Sequence, residues 1–405
     1  MGATLRVIVA CAEFAGHVYP GIALARALRT RGGEVLVQTS ARWRDAVEET
    51  GLRCAASEEL VRPLDGAWVE WAVGSAQSLI PVIEDFRPDV VVSDIVAATP
   101  PLAAEATGVK RATVMPHVYP LHPPGLPAFP LGLLPPRTPL GRVAWRAVDP
   151  AIKALVPHTR WLRRVPALLN AARAELGLAP IRRPFGEISS YGHPVSEGLT
   201  MVATFPQLEY PRRWPPHIHV TGPMLFERPH PEVELPEGEE PLVLVAASTV
   251  QDPEALVRTS IEALAEEPVR VLATLNRRGE PWYGEISENA VVVDWVSYAQ
   301  VMPRASMVVC TGGHGTVVRA LSDGVPVLVS PGAGDQAVNG ARVTWTGAGL
   351  MLPRRLLGPS TLRSAVRRVL TEQRFAASAS AIAGWSREND GAKRGAELVE
   401  RYGRG

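Results

Sequence analysis

The chain of 405 residues carries 46% hydrophobic and 20% charged side chains, enough apolar material for two cores at the usual size of roughly 150 residues per domain. Forty-two Lys and Arg nearly cancel forty-one Asp and Glu, so the net charge of +1 lacks the long-range attraction that nucleic acid or an anionic membrane surface would need. The expected partner is a small molecule, and the sequence sets no oligomeric state.

The first apolar run, LRVIVAC (5–11), is too short for a signal-peptide core and gives way at once to Glu13, Gly16 and His17. MGATLR lacks the Ser or Thr of a myristoylation site, and no apolar stretch reaches the roughly 20 residues that span a bilayer. Cys11, Cys54 and Cys310 lie far apart with no metal-ligand spacing and read as buried, reduced thiols. The expected location is the cytoplasm.

LRVIVAC, EVLVQT (34–39) and DVVVSD (89–94) are β-branched and apolar on both faces, as buried parallel strands should be. Helical patterns at 20–30, 42–50 and 101–107 alternate with them, and βαβα alternation predicts a doubly wound sheet. Nine prolines from Pro116 to Pro139 interrupt an apolar stretch that includes Leu121, Phe129 and Leu131, so regular structure is not expected there. A Pro-stiffened apolar loop after a strand's C-terminal end either walls a cleft or packs on its own domain. The strand–helix grammar restarts at PLVLVAAS (241–248) and continues through VRVLATL (269–275), AVVVDW (290–295), SMVVCT (306–311) and VPVLVSP (325–331). The organisation read from this is a domain at 1–220, a Pro- and Glu-rich linker at 221–240, a second domain at 241–385 and a terminal helix at 386–405 packing back on the first.

Three constellations can carry chemistry. His17, in the loop after the first strand, and Asp94, ending DVVVSD, belong to one edge of one sheet, where an imidazole oriented by a carboxylate can take a hydroxyl proton at neutral pH. CTGGHGTVVRAL (310–321) joins a strand end to a helix start through Gly312, Gly313, His314 and Gly315, and the amides there, with the Thr316 hydroxyl, suit a phosphate. Asp335 and Gln336, in the loop after the next strand, can hold vicinal sugar hydroxyls, and Trp295 can stack on a base. Taken singly, each has a plainer reading: a loop histidine, a helix cap, a tight turn, a polar dipeptide, a core tryptophan.

Their order and spacing resemble one family. Trp295, the Gly-rich turn, GVP (324–326) and Asp335-Gln336 look like the donor-binding signature of family 1 glycosyltransferases. GHVYPGIALARAL (16–28) resembles the GH-x-x-P-x-x-x-LA-x-AL segment that carries that family's catalytic histidine. The resemblance spans most of the chain and is strongest to bacterial macrolide and natural-product enzymes. It implies a GT-B fold, with two Rossmann-like domains facing across a cleft and a C-terminal helix returning to the N-terminal domain. It implies inverting transfer from a UDP- or dTDP-sugar to an apolar acceptor's hydroxyl, without metal or further cofactor, with His17 as base and Asp94 assisting. Trp295, Ser297, Tyr298, Thr311 to Thr316, Arg319, Ser248 and Thr249 would hold the nucleotide, Asp335 and Gln336 the sugar, and Pro116, His117, Leu121, Phe129 and Leu131 the acceptor. Thr311 stands where relatives carry a phosphate-contacting histidine; it keeps one hydrogen-bond donor and His314 would supply charge, which implies weakened or altered donor binding rather than none. Arg319 stands where many have a ribose-gripping glutamate, and Ser297-Tyr298 replaces the usual Pro-Gln or Pro-His. The rival readings are a GT-B sugar-nucleotide epimerase or hydrolase and a non-catalytic helper of the same fold. The chain has no D-x-D pair, Walker loop or G-x-G-x-x-G fingerprint.

Overall fold

The computed structural model describes residues 4–57, 60–120, 126–127, 132–136, 138–155, 160–181, 197–229, 231–247, 254–277, 279 and 281–405. The β-branched runs form two parallel sheets. The first has seven strands: β1 (Arg6–Ala10), β2 (Glu34–Ser40), β3 (Arg53–Ser57), β4 (Val90–Asp94), β5 (Lys110–Met115), β6 (Leu199–Val202) and β7 (Ile218–Val220), in the order 3-2-1-4-5-6-7. The second has six: β8 (Leu242–Ala246), β9 (Arg270–Thr274), β10 (Ala290–Val293), β11 (Met307–Cys310), β12 (Val327–Val329) and β13 (Gly349–Met351), in the order 10-9-8-11-12-13. Helices cover both faces of each sheet, which is why the central strands read as continuous apolar runs rather than alternating ones.

The strand orders fix where a ligand can enter. In each sheet the chain builds outward one way and then returns to the other side of its first strand, so crevices open beyond the C-terminal ends of β1 and β4 and of β8 and β11. Asp94 ends β4, the His17 helix follows β1, and Thr311 follows β11.

Several expected boundaries move. The first helix is Ala15–Thr30, so Pro20 lies inside it and His17 belongs to its first turn rather than to a loop. Gly16 stands four residues before Pro20 and offers no Cβ where the pyrrolidine ring crowds the preceding turn, so the helix tolerates the proline. The helix read at 101–107 is Thr99–Ala106, with prolines near its start where their missing N–H costs nothing. The described residues between Pro116 and Pro139 form no helix or strand, and a helix begins at Pro139. After Pro359 the chain is helical at Pro359–Thr371, Gln373–Glu388 and Gly391–Arg404. The last of these buries Leu398 and Val399 with Leu24 and Leu28 of the first helix.

The two halves are joined by more than the linker. Val118, Phe205 and Leu208, from loops that follow β5 and β6, are buried in the core of the second domain, and the Phe205 ring meets Trp385 edge-on at 5.9 Å. Beside them Glu209 sits between two guanidiniums: Arg342 Nη1 lies 3.4 Å from Oε2 and donates to the Leu208 carbonyl at 2.8 Å, while Arg212 Nη2 is also 3.4 Å from Oε2. The Tyr119 N–H donates to Oε1 at 2.5 Å, and Arg342 stacks over the Tyr210 ring at 3.5 Å. Desolvation raises the Glu209 pKa by more than the two arginines lower it, a measure of how little water reaches the cluster. Glu209→Gln strands two buried cations, so we expect a loss of about 3 kcal/mol in urea unfolding, partly recovered on adding Arg342→Met. An unchanged midpoint would mean that the cluster does not hold the halves together.

Candidate active site

The helix Ala15–Thr30 starts without a side-chain cap after an extended Phe14, and its third residue, His17, faces the end of β4. His17 Nδ1 donates to Asp94 Oδ2 at 2.7 Å, and Asp94 Oδ1 accepts the Val96 N–H at 2.8 Å. The carboxylate is therefore aimed from both sides. With 1% of its side chain exposed, it cannot swing to water, whereas the imidazole keeps 21%. A carboxylate only accepts, so it fixes the proton on Nδ1 and leaves Nε2 to receive one. Burial disfavours charge on the ring, but the charge and hydrogen bond of Asp94, with Asp335 and Glu13 further off, outweigh it and raise the pKa above 6.5.

Asp335 belongs to the other domain, so its effect on His17 means that the two sheet edges face each other across this spot. There β11 passes through Thr311, Gly312 and Gly313 into the helix His314–Ser322. Gly312 has φ +90, and a Cβ on it would meet Val329 Cγ1 at 2.5 Å and the Gln336 carbonyl at 2.9 Å, so no other residue fits. The helix is capped by a glycine with no side-chain bond, which leaves its first-turn N–H groups directed at whatever stands before them. Gln336 accepts the Gly332 and Ala333 N–H groups at 2.7 and 3.1 Å through Oε1, which fixes the side chain and leaves its Nε2 as the end that can donate elsewhere. Asn339 escaped the sequence reading: its Nδ2 donates to the Gly312 carbonyl at 2.9 Å and to Asp335 Oδ2 at 3.0 Å, tying carboxylate to turn. Its signal was the spacing of four from Asp335, one helical turn.

Other expected residues are placed differently from a simple contact set. The Tyr298 phenol accepts from Asn276 Nδ2 at 2.7 Å and bonds Thr316, so both hydroxyls serve the framework, and desolvation pushes the phenol up to about 12. Ser297 is buried and its carbonyl accepts the Gln300 and Val301 N–H groups. Trp295, half-buried, follows β10. Arg319 pairs with Asp323 at 3.1 Å and lies 4.0 Å from Glu227, a carboxylate of the segment joining the sheets. Thr311 is buried. His117 follows β5 with buried Pro116, donates from Nδ1 to the Val118 carbonyl at 2.7 Å, and is lowered in pKa chiefly by burial.

His314 overturns an expectation. Burial, then the charges of His117 and His17, push it down to about 3, so it is neutral at physiological pH and cannot replace a cation missing at Thr311. Its Nε2 lies 2.9 Å from the Thr204 hydroxyl. Leu121, Phe129, Leu131, Ser248 and Thr249 fall outside the described residues. Among the described residues no three His, Cys, Asp or Glu are grouped to hold a metal ion, and no helix is long and apolar enough to cross a membrane. A cavity of about 370 Å3 beside Arg212, Trp214, His219 and Arg394 borders the Glu209 cluster and includes neither His17, Asp94 nor the Gly-rich turn.

Residues 258–400 match a family described as Erythromycin biosynthesis protein CIII-like, C-terminal domain. The chain is 30% identical to 4'-demethylrebeccamycin synthase of Lentzea aerocolonigenes, covering 99% of each sequence. It is 27% identical to O-mycaminosyltylonolide 6-deoxyallosyltransferase of Streptomyces fradiae, over 96% of this chain and 95% of that one. The solved structure of glycosyltransferase VinC in complex with dTDP shares the fold, with a TM-score of 0.69 at 20% identity over 99% of this chain and 100% of the other.

The raised His17 pKa has a defined sign. A group bound more tightly to its proton in the folded state adds stability that is complete below pH 6.5 and disappears as pH rises through the folded value. We expect an NMR titration of His17 to have its midpoint above 6.5, and Asp94→Asn to lower it; equal midpoints in the two proteins would show that Asp94 does not set the proton affinity.

Proposed function

The chain belongs to the bacterial natural-product glycosyltransferases, and from that we propose that it transfers a hexose or deoxyhexose, with inversion, from a dTDP- or UDP-sugar to a hydroxyl of an apolar small molecule. The observation that carries this reading is the His17–Asp94 pair of one domain lying within electrostatic reach of Asp335 of the other, which Asn339 ties to the Gly-rich turn. In the proposed reaction the acceptor hydroxyl gives its proton to His17 Nε2 while its oxygen attacks the anomeric carbon. The bond to the diphosphate breaks on the opposite face, and its electron pair leaves with the phosphate oxygen. Asp94 stabilises the imidazolium, and the first-turn amides of His314–Ser322 with the helix dipole stabilise the departing charge. No further cofactor enters this scheme.

Asp335, fixed by Asn339, is the proposed acceptor for the sugar's hydroxyls, and Gln336 adds donors. Trp295 is the proposed stacking surface for the base, with Ser248 and Thr249 on the nucleotide's side. VinC was solved with dTDP, which makes dTDP-sugars the first donors to try. The apolar stretch after Pro116 and His117, with Leu121, Phe129 and Leu131, supports an apolar acceptor.

Two measurements test the reading. Mass spectrometry of reactions pairing dTDP- and UDP-sugars with hydroxyl-bearing apolar acceptors is expected to find glycosylated product, whereas free sugar or isomerised donor regardless of acceptor would favour the hydrolase or epimerase. His17→Ala is expected to lower kcat by about 10²–10⁴-fold with calorimetric dTDP affinity unchanged, and wild-type turnover in the variant would refute the base assignment.

A further inference from the structure

His314 opens the helix that faces the proposed diphosphate, yet its ring is spent on the opposite domain. The Pro116 carbonyl accepts from one ring nitrogen, and Nε2 stands 2.9 Å from the Thr204 hydroxyl. Pro116 follows β5 directly and Thr204 follows β6 by two residues, so one side chain of the donor domain grips two strand ends of the acceptor domain. Both partners are out of water: Thr204 is 0% exposed and His314 8%. Their neighbours Val118 and Phe205 lie in the donor domain's core, so the polar bonds stand in an apolar interface where an unmade bond is costly. The neutral imidazole donates on one side and accepts on the other, and both capacities are used. Packing alone would need neither nitrogen, since an aliphatic side chain could fill the space.

We propose that His314 is a positioning residue, a hydrogen-bonded crosslink that sets the distance between the helix end receiving the leaving diphosphate and the acceptor-domain loops beside His17. The proposal rests on the transferase reading above. Gly313 and His314 are adjacent, so a shift of the ring relative to Thr204 moves the helix start with it. Pro116 and His117 are adjacent in the same way, and His117 is near enough to act on His314 and to be acted on by His17. The anomeric carbon is held from one side and the base from the other, so this contact governs their alignment. A misplacement of one ångström is enough to cost about 100-fold in rate.

The test compares His314→Ala, His314→Gln, Thr204→Val and the double variant Thr204→Val/His314→Ala. Each is measured for kcat, donor KM, dTDP affinity by calorimetry and thermal midpoint. Thr204→Val keeps the shape while removing the hydroxyl, and Gln can reproduce one donor and one acceptor. We expect kcat to fall about 10–100-fold in His314→Ala and Thr204→Val with dTDP affinity unchanged, the double variant to be no worse than the poorer single, and Gln to recover much of the loss. A fall in dTDP affinity matching the fall in kcat would make His314 a phosphate ligand and overturn the proposal. Unchanged kcat, or losses that simply add, would also overturn it. A wild-type chain that binds dTDP but transfers no sugar would sink the transferase reading, and this proposal with it.

Discussion

The site depends on holding two separately folded sheets at one fixed spacing. Neither half contains the whole of the proposed chemistry: Asp94 ends β4 and His17 lies in the first turn of the helix after β1, whereas the Gly-rich turn follows β11. The spacing is kept where loops of the first half enter the second. Val118, Phe205 and Leu208 supply apolar burial there, and Glu209 anchors Arg342 with little water present. A buried ion cluster of this kind is poor net stabilisation but strongly directional, because any displacement strands a charge.

Neighbouring histidines in the same low-water environment end with opposite net shifts. Burial disfavours the charged form of His17, His117 and His314 alike. Only His17 has a carboxylate in hydrogen-bond contact, and only His17 is raised. One imidazole thereby holds a proton more tightly than the free side chain and two hold it less tightly, without any difference in residue type.

Second contacts recur around the site. Asp94 is fixed by the Val96 N–H, Asp335 by Asn339, and Tyr298 by Asn276 with Thr316. The two carboxylates proposed to act are thus immobilised by a backbone amide and a side-chain amide, as the Tyr298 phenol is by its own partners. Arg319 and Glu227 illustrate a related economy, since the cation on the Gly-turn helix is offset by Asp323 and by a carboxylate of the connecting segment.

The sequence by itself determined the two parallel sheets, because strands buried on both faces must be apolar throughout, and that pattern is legible from LRVIVAC onward. It also determined the glycine at 312, the Asp335–Gln336 pair and the histidine at 17, since special backbone geometry and chemically distinctive side chains leave marks in single residues. It misplaced the start of the first helix because Pro20 normally ends a helical pattern and the relief given by Gly16 is a local steric detail. The tertiary structure alone decided which imidazoles hold a proton more tightly and which less, that Ser297, Tyr298 and Thr316 serve the framework, and that His314 reaches Thr204. Those outcomes depend on desolvation and on partners distant in the chain, 110 positions away for His314 and Thr204, quantities that only a folded chain possesses.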